Sequence, residues 1–249
     1  MIDIHSHILP GVDDGSQTMD SSLELLYIAA ESGVTGIVAT PHCNIPEEYD
    51  NYAGSEMDRL WTRFESEYRR SGINIRVYRG MEIFATPDLP ELLKEKRVWT
   101  LNDTRYFLTE FSFTEDPAYC RQVLDRCLRE GYRPVIAHPE RYLFVQDDPQ
   151  IAFEWCISGC ALQLNKGSLL GRFGRGPLVT ARMLMEHGLT ACVASDAHSP
   201  FQRSTHMGEV QKLLLEEYGE SYMSLVLEEN PRRILAGEEL LGYEPVSFI

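Results

Sequence analysis

Apolar and polar positions along this chain follow two rhythms. Runs rich in apolar and β-branched residues near 1–5, 35–41, 73–82, 105–111, 133–138, 160–165 and 189–195 predict strands. Between them, apolar residues recur every three to four positions near 19–32, 54–70, 88–96, 117–130, 148–158, 176–187 and 206–217, with more near 219–237, and predict helices. Gly33, Gly72, Gly131, Gly159 and Gly188 stand where those helices should end. Such alternation means parallel strands joined by helical crossovers. About seven units, with no linker or repeat, predict one α/β domain over residues 1–249, a barrel rather than an open doubly wound sheet.

Composition narrows the functional classes. Hydrophobic residues make up 43%, as in ordinary globular proteins, and no apolar run approaches the ~20 residues that cross a bilayer. No basic segment followed by an apolar one opens the chain, so the expected location is cytoplasmic, without membrane insertion. A net charge of −15 argues against nucleic acid or anionic membrane as the main partner. No feature sets an oligomeric state.

The six cysteines (Cys43, Cys120, Cys127, Cys156, Cys160 and Cys192) include no C-x-x-C pair and read as small buried apolar residues. Cys120 to Arg126 and Cys127 to Arg133 each match C-x5-R, the minimal signature of cysteine-dependent phosphatases. That chemistry needs a glycine-rich loop whose amides cradle phosphate. Residues 117–130 instead carry a helical stripe of Val123, Leu124, Cys127 and Leu128, so the matches are coincidental. His42-Cys43 fails too, because Tyr49 stands where the arginine would be needed.

The candidate chemistry sits at the ends of the predicted strands. The first ends in His5-Ser-His7, a spacing that turns both imidazoles to one side of an extended backbone, with Asp14 in the following turn. The second delivers His42, the third Glu82, the fourth Glu110 and the fifth His138. The last ends in Ser195-Asp196-Ala197-His198. Five of the seven histidines thus fall at strand C-termini, where parallel barrels build their active sites. Glu82 and Glu110 lie among apolar strand residues, and a buried carboxylate needs a cation. Nine N/O groups exceed one ion and suit Mn, Fe or Zn. Four carboxylates against three divalent ions (−4 against +6) would leave a cationic pocket fit for a phosphate ester. Arg141 and Arg203, close behind His138 and His198, are placed to reach phosphate oxygens.

With these residues in hand, the sequence resembles the polymerase and histidinol phosphatase (PHP) superfamily of metal-dependent phosphoesterases. It is most similar to the bacterial protein-tyrosine phosphatases of capsular and exopolysaccharide operons. The resemblance rests on Asp-Ile-His-Ser-His-Ile-Leu-Pro-Gly-Val-Asp-Asp-Gly-Ser at 3–16, Thr-Pro-His at 40–42, Ala-His-Pro-Glu-Arg at 137–141 and Ser-Asp-Ala-His at 195–198. It implies a distorted (β/α)7 barrel, TIM-like, with three divalent ions, usually manganese. His5, His7, Glu82 and Asp196 would hold one ion. A bridging Glu82 would share the second with Glu110 and His138, and Asp14, His42 and His198 would hold the third. Arg141 and Arg203 match phosphate-binding positions, although Ser199-Pro200 departs from the expected polar stretch before Arg203.

The implied reaction is hydrolysis of phosphotyrosine by a metal-bridging hydroxide, on the tail of a tyrosine kinase of polysaccharide assembly. Asp14 and His42 are the candidate proton relays, but both match ligands, so no general acid is assigned. The competing readings are a small-molecule phosphatase such as histidinol-phosphate phosphatase, and a non-catalytic metal-stabilised binding module. An amidohydrolase would want a histidine ending the sixth strand, which here ends in Leu164-Asn165-Lys166. The glycine-rich stretch 171–176 reads as a flexible loop before the 176–187 helix, with Arg172 and Arg175 at the pocket rim as the alternative, and 46–52 reads as a solvated loop.

Overall fold

The computed structural model describes residues 1–242 and 244–248. Its strand segments are β1 (Ile2–Asp3), β2 (Gly36–Ala39), β3 (His42–Cys43), β4 (Arg76–Arg79), β5 (Glu82–Phe84), β6 (Tyr106–Glu110), β7 (Arg133–Ala137), β8 (Ala161–Asn165) and β9 (Thr190–Ala194). All pair in parallel, in a three-stranded sheet β1-β2-β4 and a six-stranded sheet β3-β5-β6-β7-β8-β9.

Seven predicted strands become more segments because two of them break. The run 35–41 breaks at Thr40-Pro41, where proline has no amide to donate. The run 73–82 breaks at Gly80-Met81. A Cβ on Gly80 would lie 2.9 Å from Leu101 Cδ2 and 3.1 Å from Val38 Cγ1, so the chain passes too close for a side chain. At each break the chain leaves one sheet and enters the other. Backbone bonds stitch them together: Thr40 N donates to Ser6 O at 2.8 Å and Glu82 N to Pro41 O at 3.1 Å. Beyond β1, His7 N donates to Ala197 O at 2.8 Å, and Asp196 N donates to His5 O at 2.9 Å. The ladder does not close as one ring, because the 3-10 turn Leu101–Asp103 packs between β4 and β6.

Most crossovers run through the expected helices: α1 (Met19–Glu31), α2 (Ser55–Ser71), α3 (Leu89–Lys94), α4 (Pro117–Arg129), α5 (Leu143–Asp147), α6 (Gln150–Ser158), α7 (Lys166–Leu169), α8 (Arg175–Glu186), α9 (Gly208–Tyr218), α10 (Glu220–Ser224) and α11 (Asn230–Ala236). α5 and α7 are too short to show a helical period. The single helix expected over 219–237 is interrupted by a π-turn at Leu225–Glu229 beside Pro231, which has no N–H for the ladder. All five glycines read as helix stops have positive φ. No helix among the described residues is long and apolar enough to cross a membrane.

Two apolar layers result. Phe107, Ile136, Leu162 and Val193 face outward and join helix residues such as Leu25, Phe64, Leu124 and Leu184. Ile4, Val38, Leu108, Val135, Ala137, Cys192 and Ala194, drawn from both sheets, meet over a separate interior. The two-residue period then decides what lies at the upper end of that interior. On β6 the face of Tyr106 and Leu108 continues to Glu110, and on β8 the face of Ala161 continues to Gln163 and Asn165. The inner face thus turns from apolar to polar at the strand C-termini.

Candidate metal centre

Every predicted ligand arrives at that polar end. His5, His7, Glu82, His138 and Asp196 are buried, and His42, Glu110 and His198 nearly so, while the Asp14 side chain is half exposed. His138, next after β7, and Asp196, two residues past β9, have φ of 36° and 49°, the left-handed region. A residue with a Cβ is strained there by about 1–3 kcal/mol, a cost tolerated where the side chain must be aimed.

Four overlapping sets of ligand atoms lie close enough to share an ion: His5, His7 and Asp196; His5, Glu82 and His138; His42, Glu82 and Glu110; and His7, Asp14, His42 and His198. His5 Nε2 lies 3.2 Å from His7 Nε2, 3.2 Å from Glu82 Oε2 and 3.5 Å from Asp196 Oδ1. His7 Nε2 stands 3.2 Å from Glu82 Oε2 and 3.6 Å from Asp196 Oδ1. On the other oxygen of Glu82, Oε1, His138 Nε2 sits at 2.9 Å, with Glu110 Oε2 3.9 Å from the same nitrogen. Asp14 Oδ1 is 3.3 Å from His198 Nε2 and 3.5 Å from His42 Nε2. His42 faces two ways, since its Nδ1 lies 3.1 Å from both Glu82 Oε2 and Glu110 Oε1.

The chemistry of this cluster demands a cation. His5 Nδ1 is 2.7 Å from Gln163 Oε1 and His7 Nδ1 is 2.8 Å from Asp13 Oδ2, so each ring spends its N–H on an outer acceptor. With both rings neutral, the two Nε2 lone pairs point at each other and at two carboxylates, with no donor between them. Donor atoms around one ion at ~2.1 Å are roughly 3–3.5 Å apart, and the observed edges of 3.2–3.6 Å match. Glu82 Oε2 and His42 Nδ1 are, moreover, buried without a hydrogen-bond partner. The residues fit divalent metal of N/O preference.

Protons partly substitute for metal in this geometry. Burial opposes charge on His5, His7 and His42, yet Glu82 with Asp196, Asp13 or Glu110 outweighs it and raises all three. The same imidazoles, with Arg203 beside Asp196, hold the Glu82 and Asp196 carboxyls low despite burial. Hydrogen bonding to His198 lowers Asp14 to about 2. His198 itself is lowered, by burial and by His7.

Around the cluster stand residues that the strand-end pattern passed over. Asp13, also accepting from His42 N and Gly15 N at 3.0 Å each, fixes the first turn. Asn165 Nδ2 donates to Asp196 Oδ2 at 2.6 Å. Gln163 and Asn165 were visible only as polar residues on one face of an otherwise apolar run. Arg203 Nη2 lies 2.6 Å and Arg141 Nη1 3.3 Å from Asp196 Oδ2, so both arginines reach the centre, Ser199-Pro200 notwithstanding. Phe113 and Phe173 cover the Arg141 guanidinium at 4.7 and 4.6 Å. In the loop 46–52, Pro46, Glu47, Glu48 and Asp50 are exposed as expected, while Tyr49 stacks on His42 at 5.5 Å and Asn51 Nδ2 donates to His42 O at 2.8 Å. Arg172 is turned to Glu209 at 2.6 Å, and Arg175 opens α8. A cavity of about 190 Å³ exposes seven of the nine ligand candidates together with Phe113, Arg141 and Arg203, above the buried His5 and His7.

The cysteines offer no competing site. Cys120 and Cys127 are buried mid-helix in α4, and burial pushes Cys127 up to about 12 and raises Cys120 as well. At neutral pH such thiols carry a thiolate fraction on the order of 10⁻⁵.

A family described as capsular polysaccharide synthesis, CpsB/CapC, matches residues 1–236. The chain belongs to the CpsB/CapC family. Within this family it is 34% identical over 247 residues to tyrosine-protein phosphatase YwqE of Bacillus subtilis, covering 98% of this chain and 95% of YwqE. Tyrosine-protein phosphatase CpsB of Streptococcus agalactiae is 32% identical over 251 residues, covering 94% of this chain and 98% of CpsB. In three dimensions the chain matches a crystal structure from work on YwqE and Streptococcus pneumoniae CpsB, described as unique metal-dependent tyrosine phosphatases. The TM-score is 0.93 at 32% identity, over 100% of both chains. The family membership bears out the resemblance carried by residues 3–16.

Proposed function

We propose that this CpsB/CapC protein is a metal-dependent protein-tyrosine phosphatase of capsule or exopolysaccharide synthesis, acting in the cytoplasm on the phosphorylated tail of a tyrosine kinase. The observation that carries it is the convergence of His5 Nε2, His7 Nε2, Glu82 Oε2 and Asp196 Oδ1 directly beneath two arginines. YwqE and CpsB, similar over nearly their whole lengths, support the same activity. We read residues 1–249 as one domain whose strand segments form the staves of a distorted (β/α)7 barrel, β2 with β3 and β4 with β5 each making one stave.

In this reading His5, His7, Glu82 and Asp196 hold one ion, Glu82, Glu110 and His138 a second, and Asp14, His42 and His198 a third, with manganese the fitting metal and Fe or Zn the alternatives. Bound divalent ions supply Lewis acidity toward phosphoryl oxygens and lower the pKa of water. The protein's own groups do the rest. Gln163 and Asp13 keep the His5 and His7 lone pairs aimed inward. Asn165 and Arg203 grip the outer oxygen of Asp196, which leaves Oδ1 toward the imidazoles. Arg141, held between two rings, and Arg203, whose buried Nε lacks an acceptor, present donors to the equatorial phosphoryl oxygens. Asp14, lowered to about 2, is ionised at neutral pH and so offers a carboxylate rather than an acidic proton. A tyrosine leaving group, with pKa near ~10, needs little protonation.

The test is phosphotyrosine-peptide hydrolysis before and after chelation, with Mn²⁺, Fe²⁺ and Zn²⁺ added back separately and histidinol phosphate assayed beside the peptide. Activity should vanish on chelation and return best with Mn²⁺. Full activity in verified metal-free protein would sink the reading, and a preference for histidinol phosphate would replace the substrate.

A further inference from the structure

We propose that an aromatic collar of Tyr49, Phe113, Phe173 and Phe201 receives the phenyl ring of the substrate, so that the site selects aryl over alkyl phosphomonoesters. The inference rests on the phosphatase reading above and names what recognises the alcohol part of the ester.

Four different strand-end segments supply the rings. Tyr49 follows β3, Phe113 follows β6, Phe173 follows α7 and Phe201 follows β9. Three of them touch a group of the centre directly. Tyr49 lies stacked on His42, with an interplanar angle of 11°. Phe113 covers Arg141 and meets His138 edge-on at 6.0 Å. Phe173 reaches both arginines, Arg141 at 4.6 Å and Arg203 at 5.9 Å. The fourth, Phe201, is 86% exposed. It rides on a short loop tied at its base, where His198 N and Ser199 N both donate to Arg203 O at 2.8 and 3.2 Å. The loop backbone that carries Phe201 is thus tied to that of Arg203, two residues on.

The cavity itself is almost wholly charged, with Phe113 its one apolar side chain among the described residues. Its floor can recognise a phosphoryl group but nothing apolar. A phosphate ester joins phosphorus to its alcohol through a single oxygen, so with the phosphoryl group on the arginines the alcohol carbon stands at the mouth. There the collar offers ring faces and edges, which reward an aromatic group and give little to a small alkyl chain.

Positioning of the arginines alone is the competing role, and two ligands separate the two. Manganese-loaded protein is titrated calorimetrically with phenylphosphonate and methylphosphonate, which share the anionic head and differ in the ring. Wild type should prefer phenylphosphonate. Phe201→Ala, which removes an exposed side chain and spares the core, should reduce that preference roughly three- to tenfold with unchanged metal content. Phe113→Leu and Phe173→Leu, which keep apolar volume, should do the same, and kcat/KM for phenyl phosphate should fall more than that for glycerol phosphate. Equal weakening of both phosphonates, or an unchanged preference in all three variants, overturns the collar while leaving the phosphatase intact. Wild-type metal-loaded protein that binds neither phosphonate overturns the phosphatase reading and the collar with it.

Discussion

Glu82→Gln is the sharpest test of how the centre is held together. The amide keeps the volume of a side chain that is 1% exposed, and removes only its charge and one of its two acceptor oxygens. In the structure Oε2 stands 3.1–3.2 Å from His5 Nε2, His7 Nε2 and His42 Nδ1, and Oε1 lies 2.9 Å from His138 Nε2. One substitution therefore touches four imidazoles. Removing one partner of a buried ion pair typically costs about 3–5 kcal/mol. Here the imidazoles can shed their protons, which brings the metal-free protein to the lower end of that range. At roughly 2–4 °C per kcal/mol for a chain of this size, the metal-stripped variant should melt about 6–12 °C below stripped wild type. Metal content, read by elemental analysis, should fall by more than one equivalent, because both oxygens of Glu82 face ligand groups. Loss of one equivalent or less would refute the bridging role, and an unchanged melting temperature in stripped protein would refute the pairing itself.

Four further outcomes follow from the same geometry. Arg141→Ala should lower kcat/KM on phosphotyrosine peptide roughly ten- to a hundredfold while keeping its metal, because Arg203 and Asn165 still grip Asp196; wild-type kinetics would remove Arg141 from the phosphate pocket. Arg203→Ala should lose as much activity and some metal besides, since its 2.6 Å contact is the shorter of the two. The double variant Cys120→Ser with Cys127→Ser should retain most activity and His138→Ala should abolish it, and the reverse pattern would return the chemistry to a thiol. In metal-stripped protein the raised His5, His7 and His42 contribute stability that is complete below the unfolded value of about 6.5 and is lost as pH climbs through their raised values. The lowered Glu82 and Asp196 contribute above about pH 4 and lose it in acid. Stripped protein should therefore lose melting temperature from pH 6.5 to 8, whereas metal-loaded protein should lose it toward acid as protons displace metal, and a stripped protein that gains stability over pH 6.5–8 would contradict the assigned charges.

The nine ligand candidates were legible from sequence because they cluster at or just beyond the ends of the apolar runs, with Asp14 in the turn after the first. A parallel strand of five residues presents few polar positions, and a histidine or carboxylate at its C-terminal end has little other use there. His5-x-His7 adds a spacing that an extended backbone converts directly into shared direction. Helix stops were legible at Gly33 and Gly72 for an equally local reason, since the left-handed conformation excludes most other residues.

Tertiary structure alone decided the rest, wherever the partner is distant in the chain or the deciding contact lies off the strand. The run 73–82 breaks at Gly80-Met81 and passes from one sheet to the other where Leu101 and Val38 crowd Gly80. Gln163 orients His5 across 158 positions of sequence, and Arg141 and Arg203 share one oxygen of Asp196 only because β7 and β9 end side by side with β8. Periodicity reports which face a residue takes along its own element. Which faces then meet is set by the packing of strands far apart in the chain, and that packing, not the local pattern, assembles Asp13, Gln163 and Asn165 behind the ligands.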